Sequence, residues 1–141
     1  MHKTLILAVL AGALVMPGHV VAAGCSGADP ALSQVVVKDV AQVGGLNEYH
    51  LSGTVTNTGT QKQASNVLQF VDIYRDREKM DNIGIPPLKP GQSYTFGWKF
   101  QRSQDAGEGT TRLHFRLRMV QPTSMGRQNC NLNNDSSVVT F

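Results

Sequence analysis

A chain of 141 residues, 40% of them hydrophobic and 16% charged, has a globular composition and is long enough for one domain. Its 13 Lys+Arg against 10 Asp+Glu give a formal charge of +3. That balance is too small and too evenly spread to call for nucleic acid or an anionic membrane as partner, and the chain holds no polybasic run.

The first element is a targeting segment. His2 and Lys3 form a short polar start, residues 4–16 an unbroken apolar run, Pro17-Gly18 a break, and Val21-Ala22-Ala23 a small-residue end. The apolar run is shorter than the roughly 20 residues that cross a bilayer, so no transmembrane segment is expected. Residues 1–23 are read as a cleaved signal peptide, residues 24–33 as a lead-in and residues 34–141 as the folded domain. The expected location is the periplasm, with secretion or outer-membrane attachment as alternatives.

Two cysteines remain beyond that segment, Cys25 and Cys130. An exported compartment is oxidising, and a lone pair of cysteines there is expected to form a disulfide. Ala22-Ala23-Gly24-Cys25 also fits a permissive lipobox, which would make Cys25 a lipid anchor and the protein an outer-membrane structural lipoprotein. Against that alternative, Ala22 stands where such motifs usually carry Leu, and Pro17, Gly18 and His19 interrupt the apolar run before the cysteine.

The rest of the chain reads as short runs rich in Val, Thr, Phe and Tyr, punctuated by Gly, Pro and Asn. The first run is Gln34 to Val43. In the second, Glu48 to Asn57, Tyr49, Leu51, Gly53 and Val55 alternate with His50, Ser52, Thr54 and Thr56, the pattern of a half-buried strand. Asn57-Thr58-Gly59 turns the chain. Asn66 to Tyr74 is apolar on both faces. Since a carboxylate avoids the core, Val71 and Ile73 are expected to point in while Phe70, Asp72 and Tyr74 point out. Met80 to Ile85 follows as an edge segment, then Pro86-Pro87 and the turn Pro90-Gly91. Ser93 to Gln101 carries Tyr94, Phe96, Trp98 and Phe100 on one face. Thr111 to Val120 alternates cleanly, with Leu113, Phe115, Leu117 and Met119 inward and Arg112, His114, Arg116 and Arg118 outward. A long polar loop holding Cys130 leads to a last strand, Ser136 to Phe141. The sum is an all-β chain with seven strands, the pattern of an immunoglobulin-like β-sandwich.

Four landmarks occur in a recognisable order: Gly53-Thr54-Val55-Thr56-Asn57-Thr58-Gly59, then Val71-Asp72-Ile73-Tyr74-Arg75-Asp76, then the Pro-Gly element between Ile85 and Gly91, then Asn131-Leu132-Asn133-Asn134. Together they resemble the CARDB-type module, an immunoglobulin-like domain of bacterial exported proteins. One departure is Gln128-Asn129-Cys130, where that family usually carries acidic residues. The resemblance implies a ligand-binding, adhesive or assembly module with no single activity attached to the fold.

Catalytic chemistry finds little to work with. His50 and His114 lie on the polar faces of alternating strands and read as surface histidines. Gly91-Gln92-Ser93-Tyr94-Thr95 lacks the second glycine of a nucleophile elbow and precedes a strand where that motif precedes a helix. Glu48, Glu78 and Glu108 occupy solvated positions, not the two walls of a cleft. Asn131, Asn133, Asn134 and Asp135 are oxygen-rich but offer one carboxylate, fewer than calcium sites gather, and read as turn caps. No catalytic residue, cofactor or metal ligand is therefore expected.

The sharpest feature is the stripe Arg112, His114, Arg116 and Arg118. Like charges on one strand face repel, so something must offset them. In an immunoglobulin-like topology the neighbouring strand carries Phe70, Asp72 and Tyr74. Two readings follow: internal pairing of Asp72 with an arginine and of guanidinium groups with the rings, or a recognition face for a protein or surface polymer of the cell envelope.

Overall fold

The computed structural model describes residues 26–103 and 109–141. The expected signal peptide, Cys25 and Glu108 lie outside the described residues. The strands are β1 (Pro30–Leu32), β2 (Val36–Val43), β3 (Leu46–Asn57), β4 (Leu68–Arg75), β5 (Glu78–Ile85), β6 (Ser93–Ser103), β7 (Arg112–Val120) and β8 (Ser136–Thr140), with one 3-10 turn at Leu132–Asn134. All seven runs read from the sequence appear as strands. An eighth, β1, corrects the strand count and lies inside the segment read as lead-in.

Two antiparallel sheets face each other. In the first, β6 pairs with one edge of β3 from Leu46 to Thr56, while β1 and β2 share its other edge. The second has the order β5-β4-β7-β8. Inward side chains of both sheets form the core, with Val55, Val71, Ile73, Leu113 and Phe115 fully buried. Burying each such side chain stabilises the fold by roughly 1.5–3 kcal/mol. Alternation is the cause: Tyr49, Leu51, Gly53, Val55 and Asn57 are the buried positions of β3, every second residue. Gly53 is required there, since a Cβ would stand 2.5 Å from the Phe96 ring and 2.9 Å from Val35.

One end of the sandwich is closed by polar groups. Asn57, with no exposed surface, accepts hydrogen bonds from the backbone N–H of Asp29 and of Gly59, each at 3.0 Å. Its side-chain amide donates to the carbonyls of Gln61 at 2.8 Å and Leu88 at 2.9 Å. Gly59 passes so close to the lead-in that a Cβ would meet the Gly27 carbonyl oxygen at 2.0 Å. The Asn-x-Gly spacing thus has two separate physical causes, a four-bond side chain and a backbone crossing.

Replacing Asn57 with Ala leaves the buried Asp29 N–H unmet, takes one of two donors from the buried Leu88 carbonyl, which keeps the Gln63 N–H, and removes the partly buried bonds at Gly59 and Gln61, an unmet buried group costing about 1–3 kcal/mol before relaxation. Asn57→Ala is expected to lower the unfolding free energy by about 3 kcal/mol in urea titration. A loss under about 0.5 kcal/mol, the level of an ordinary surface substitution, would show that the turn does not depend on it.

Candidate functional site

β4 and β7 are neighbours, with Phe70 opposite Arg118, Asp72 opposite Arg116 and Tyr74 opposite His114. All seven residues singled out from the sequence, Phe70, Asp72, Tyr74, Arg112, His114, Arg116 and Arg118, alternate with the buried Val71, Ile73, Leu113 and Phe115 and so share the outer face. Asp72 points outward, as expected, yet its side chain is only 3% exposed. It is covered from outside by its own counter-ions, Arg118 at 2.5 Å and Lys79 at 2.8 Å. The Arg118 guanidinium also lies 4.7 Å from the centre of the Phe70 ring. Burial alone would push the Asp72 carboxyl up, but the bonds from Arg118 and Lys79 outweigh it and hold its pKa below the ordinary range.

The arginine that pairs with Asp72 is the diagonal one, Arg118, and not its register partner Arg116. Phe70 explains the choice, since it sits opposite Arg118 and gives the guanidinium a flat surface to lie on. Neither Arg112 nor Arg116 makes an ion pair among the described residues. Arg116 instead lines a recess of about 280 Å³ with Tyr74, Asp76, Arg77 and His114. Lys79 and Arg77 escaped the sequence reading because they belong to the β4–β5 hairpin, whose irregularity between Ile73 and Tyr74 decides what reaches the face.

The opposite outer face carries a second charged cluster. The ring nitrogens of His50 lie 2.7 Å from Asp39 and 2.6 Å from Glu48, and Glu48 also receives Lys99 at 2.9 Å and Gln101 at 2.7 Å. These donors, His50 first, pull the Glu48 pKa down to about 2. The cluster ties β2, β3 and β6 together, and both nitrogens of His50 are occupied by carboxylates rather than by a hydroxyl or thiol.

The loop after β7 behaves as a turn cap. Asn131 accepts from the Asn133 N–H at 3.1 Å, Asn129 donates to both Asp135 oxygens, and Asn134 donates to Asp29 at 3.1 Å. Burial, with Asp29 nearby, raises the Asp135 pKa despite the Asn129 bond. Asp29 accepts further bonds from Thr58 and from the Asn131 N–H. Both carboxylates are thus met by N–H and O–H donors, as in a turn cap. Two amide oxygens, on Asn129 and Asn134, are buried with no partner. The Sγ of Cys130 lies 3.6 Å from the carbonyl oxygen of Ala28.

Arg118→Ala leaves the buried Asp72 with Lys79 alone and is expected to cost about 1–2 kcal/mol of stability, the exposure of Arg118 reducing the effect below that of a fully buried pair. Arg116→Ala is expected to stay within about 0.5 kcal/mol. Equal losses would contradict the diagonal pairing. The folded pKa values of Asp72 and Glu48 are depressed, so their contribution is complete above the ordinary carboxylate range and is lost as the pH falls below about 4. Asp72→Asn should flatten the acid limb of a stability-against-pH curve. An unchanged limb would remove Asp72 from the account.

No protein-family model matches the chain, and no curated protein sequence does so. Among solved structures, the chain is similar to the CARDB domain of the PF1109 protein from Pyrococcus furiosus, crystallised in complex with di-metal ions, at 19% identity over 84% of this chain and 94% of that one, with a TM-score of 0.58. The solution structure of the same domain matches at 19% identity over 82% and 94%, with a TM-score of 0.56. A Bacteroides uniformis β-glucuronidase matches at 17% identity over 78% of this chain and 12% of that chain, with a TM-score of 0.42. The chain therefore has the fold of a CARDB domain, two antiparallel sheets in a β-sandwich, as the motifs in its sequence implied.

Proposed function

We propose that the protein is a non-catalytic, exported binding or assembly module that engages another cell-envelope protein or a surface polymer through the outer face of β4 and β7. The observation that carries this reading is the incomplete neutralisation of that face. Asp72 is saturated by Arg118 and Lys79, and Arg112 and Arg116 make no ion pair among the described residues. Arginine and tyrosine are the residue types that dominate interface energetics. A non-catalytic role agrees with both ring nitrogens of His50 being taken by carboxylates. Export rests on residues 1–23, and the periplasm is the location it favours.

The same reading includes a disulfide between Cys25 and Cys130. Cys25 precedes Ala28 by three residues, a span of about 10 Å at most, and the Sγ of Cys130 is already against the Ala28 carbonyl. Closing a loop of about 100 residues would stabilise the domain by up to ~4.7 kcal/mol in the chain-entropy model. Lipidation of Cys25 is the alternative this placement disfavours.

Non-reducing peptide mapping of protein purified from the periplasm is expected to return one linked peptide containing Cys25 and Cys130. A diacylglyceryl Cys25, or two free thiols, would contradict it. For the binding face, crosslinking capture from intact cells should weaken about tenfold when Arg112 and Arg116 are both changed to Ser, each supplying roughly 0.7 kcal/mol. Undiminished capture with undiminished stability would leave the face without a binding role.

A further inference from the structure

We propose that the recess formed by Tyr74, Asp76, Arg77, His114 and Arg116 receives a carboxylate side chain from an acidic segment of a partner protein. The inference rests on the binding-face reading and assigns its chemistry. Two arginines, Arg77 and Arg116, line a recess of about 280 Å³, large enough for one acidic side chain with water and too small for a folded element. The one carboxylate in its lining, Asp76, forms no ion pair with either arginine. Asp72, the register partner of Arg116, has both oxygens taken by Arg118 and Lys79. The lining therefore carries two arginines against one carboxylate, which is ion-paired with neither.

The backbone places these groups deliberately close to one another. Asp76 adopts a left-handed conformation, φ 56°, which aspartate tolerates better than most residues. It turns the chain sharply so that Arg77 comes back beside the β4 and β7 face. Arginine presents a planar fork of donors that fits a carboxylate with two parallel bonds, and the Tyr74 hydroxyl and the His114 ring add donors of a different reach. The rim favours a peptide over a free anion: Val138, the register partner of His114 on β8, is 40% exposed. It offers the apolar contact that a side chain next to the acidic one would cover.

Titration of the ¹⁵N-labelled protein with a blocked tri-glutamate peptide tests this, read from the arginine Nε–H signals. The Arg77 and Arg116 signals are expected to shift and saturate together. Arg116→Ser should weaken binding about tenfold, and Lys62→Ser, an exposed cation in the β3–β4 connection outside the face, should leave it within about twofold. The proposal is overturned by an absence of saturable shifts, by equal shifts with a blocked tri-glutamine peptide, or by equal weakening from Lys62→Ser. Tighter binding of trigalacturonate or sulfate than of the glutamate peptide would overturn the choice of a protein segment. The titration needs no cellular partner, so its failure leaves cellular capture through the face standing, and a failure of capture leaves the titration result standing.

Discussion

The four hydrogen bonds of the Asn57 side chain hold together segments that are far apart in sequence: the lead-in at Asp29, the turn at Gly59 and Gln61, and the connection at Leu88. A buried amide is stabilising only when it is fully met, and here both lone-pair positions and both N–H groups are used. Asp29, fixed by that contact, reaches Thr58, Asn131 and Asn134 and so brings in the loop before β8. β8 then pairs with β7 from Arg116 to Arg112 and supports the edge of the face where the arginines stand. The polar end of the sandwich and the cationic face are thus parts of one mechanical arrangement.

On that face two kinds of arginine do different work. Arg118 is consumed within the fold, neutralising a carboxylate that β4 buries and lying on Phe70. Arg116, two residues earlier and so on the same side, has no such partner among the described residues and lines the recess. A stripe that is uniform in sequence is therefore divided by its neighbours into a structural and an available part. On the outer face of the other sheet, Thr54 pairs with Thr95, Thr56 with Ser93, and Glu48 with His50 and Lys99.

The strands and their faces were legible because alternation is a local property, cleanest in β7 and β3. The in-and-out assignment of β4 was also legible, from the cost of pointing Asp72 at the core. What was hidden depends on distance relations that periodicity does not carry. β1 spans three residues, too few to show a period. The burial of Asp72 comes from side chains on β5 and β7, and the diagonal choice of Arg118 from the position of Phe70. Arg77 joins the recess through a hairpin irregularity and a single left-handed residue. Asn57 announced itself as a turn, whereas its role as a four-bond joint appears only when Leu88 and Asp29 are placed beside it.

The proposed binding surface is the outer face of β4 and β7 and not the outer face of β3 and β6. A photo-crosslinking amino acid introduced in producing cells at Val138, beside His114, or at Thr95, on the opposite sheet, measures this directly. The account predicts a discrete covalent adduct from position 138 and none from position 95. An adduct from position 95 with none from position 138 would contradict it.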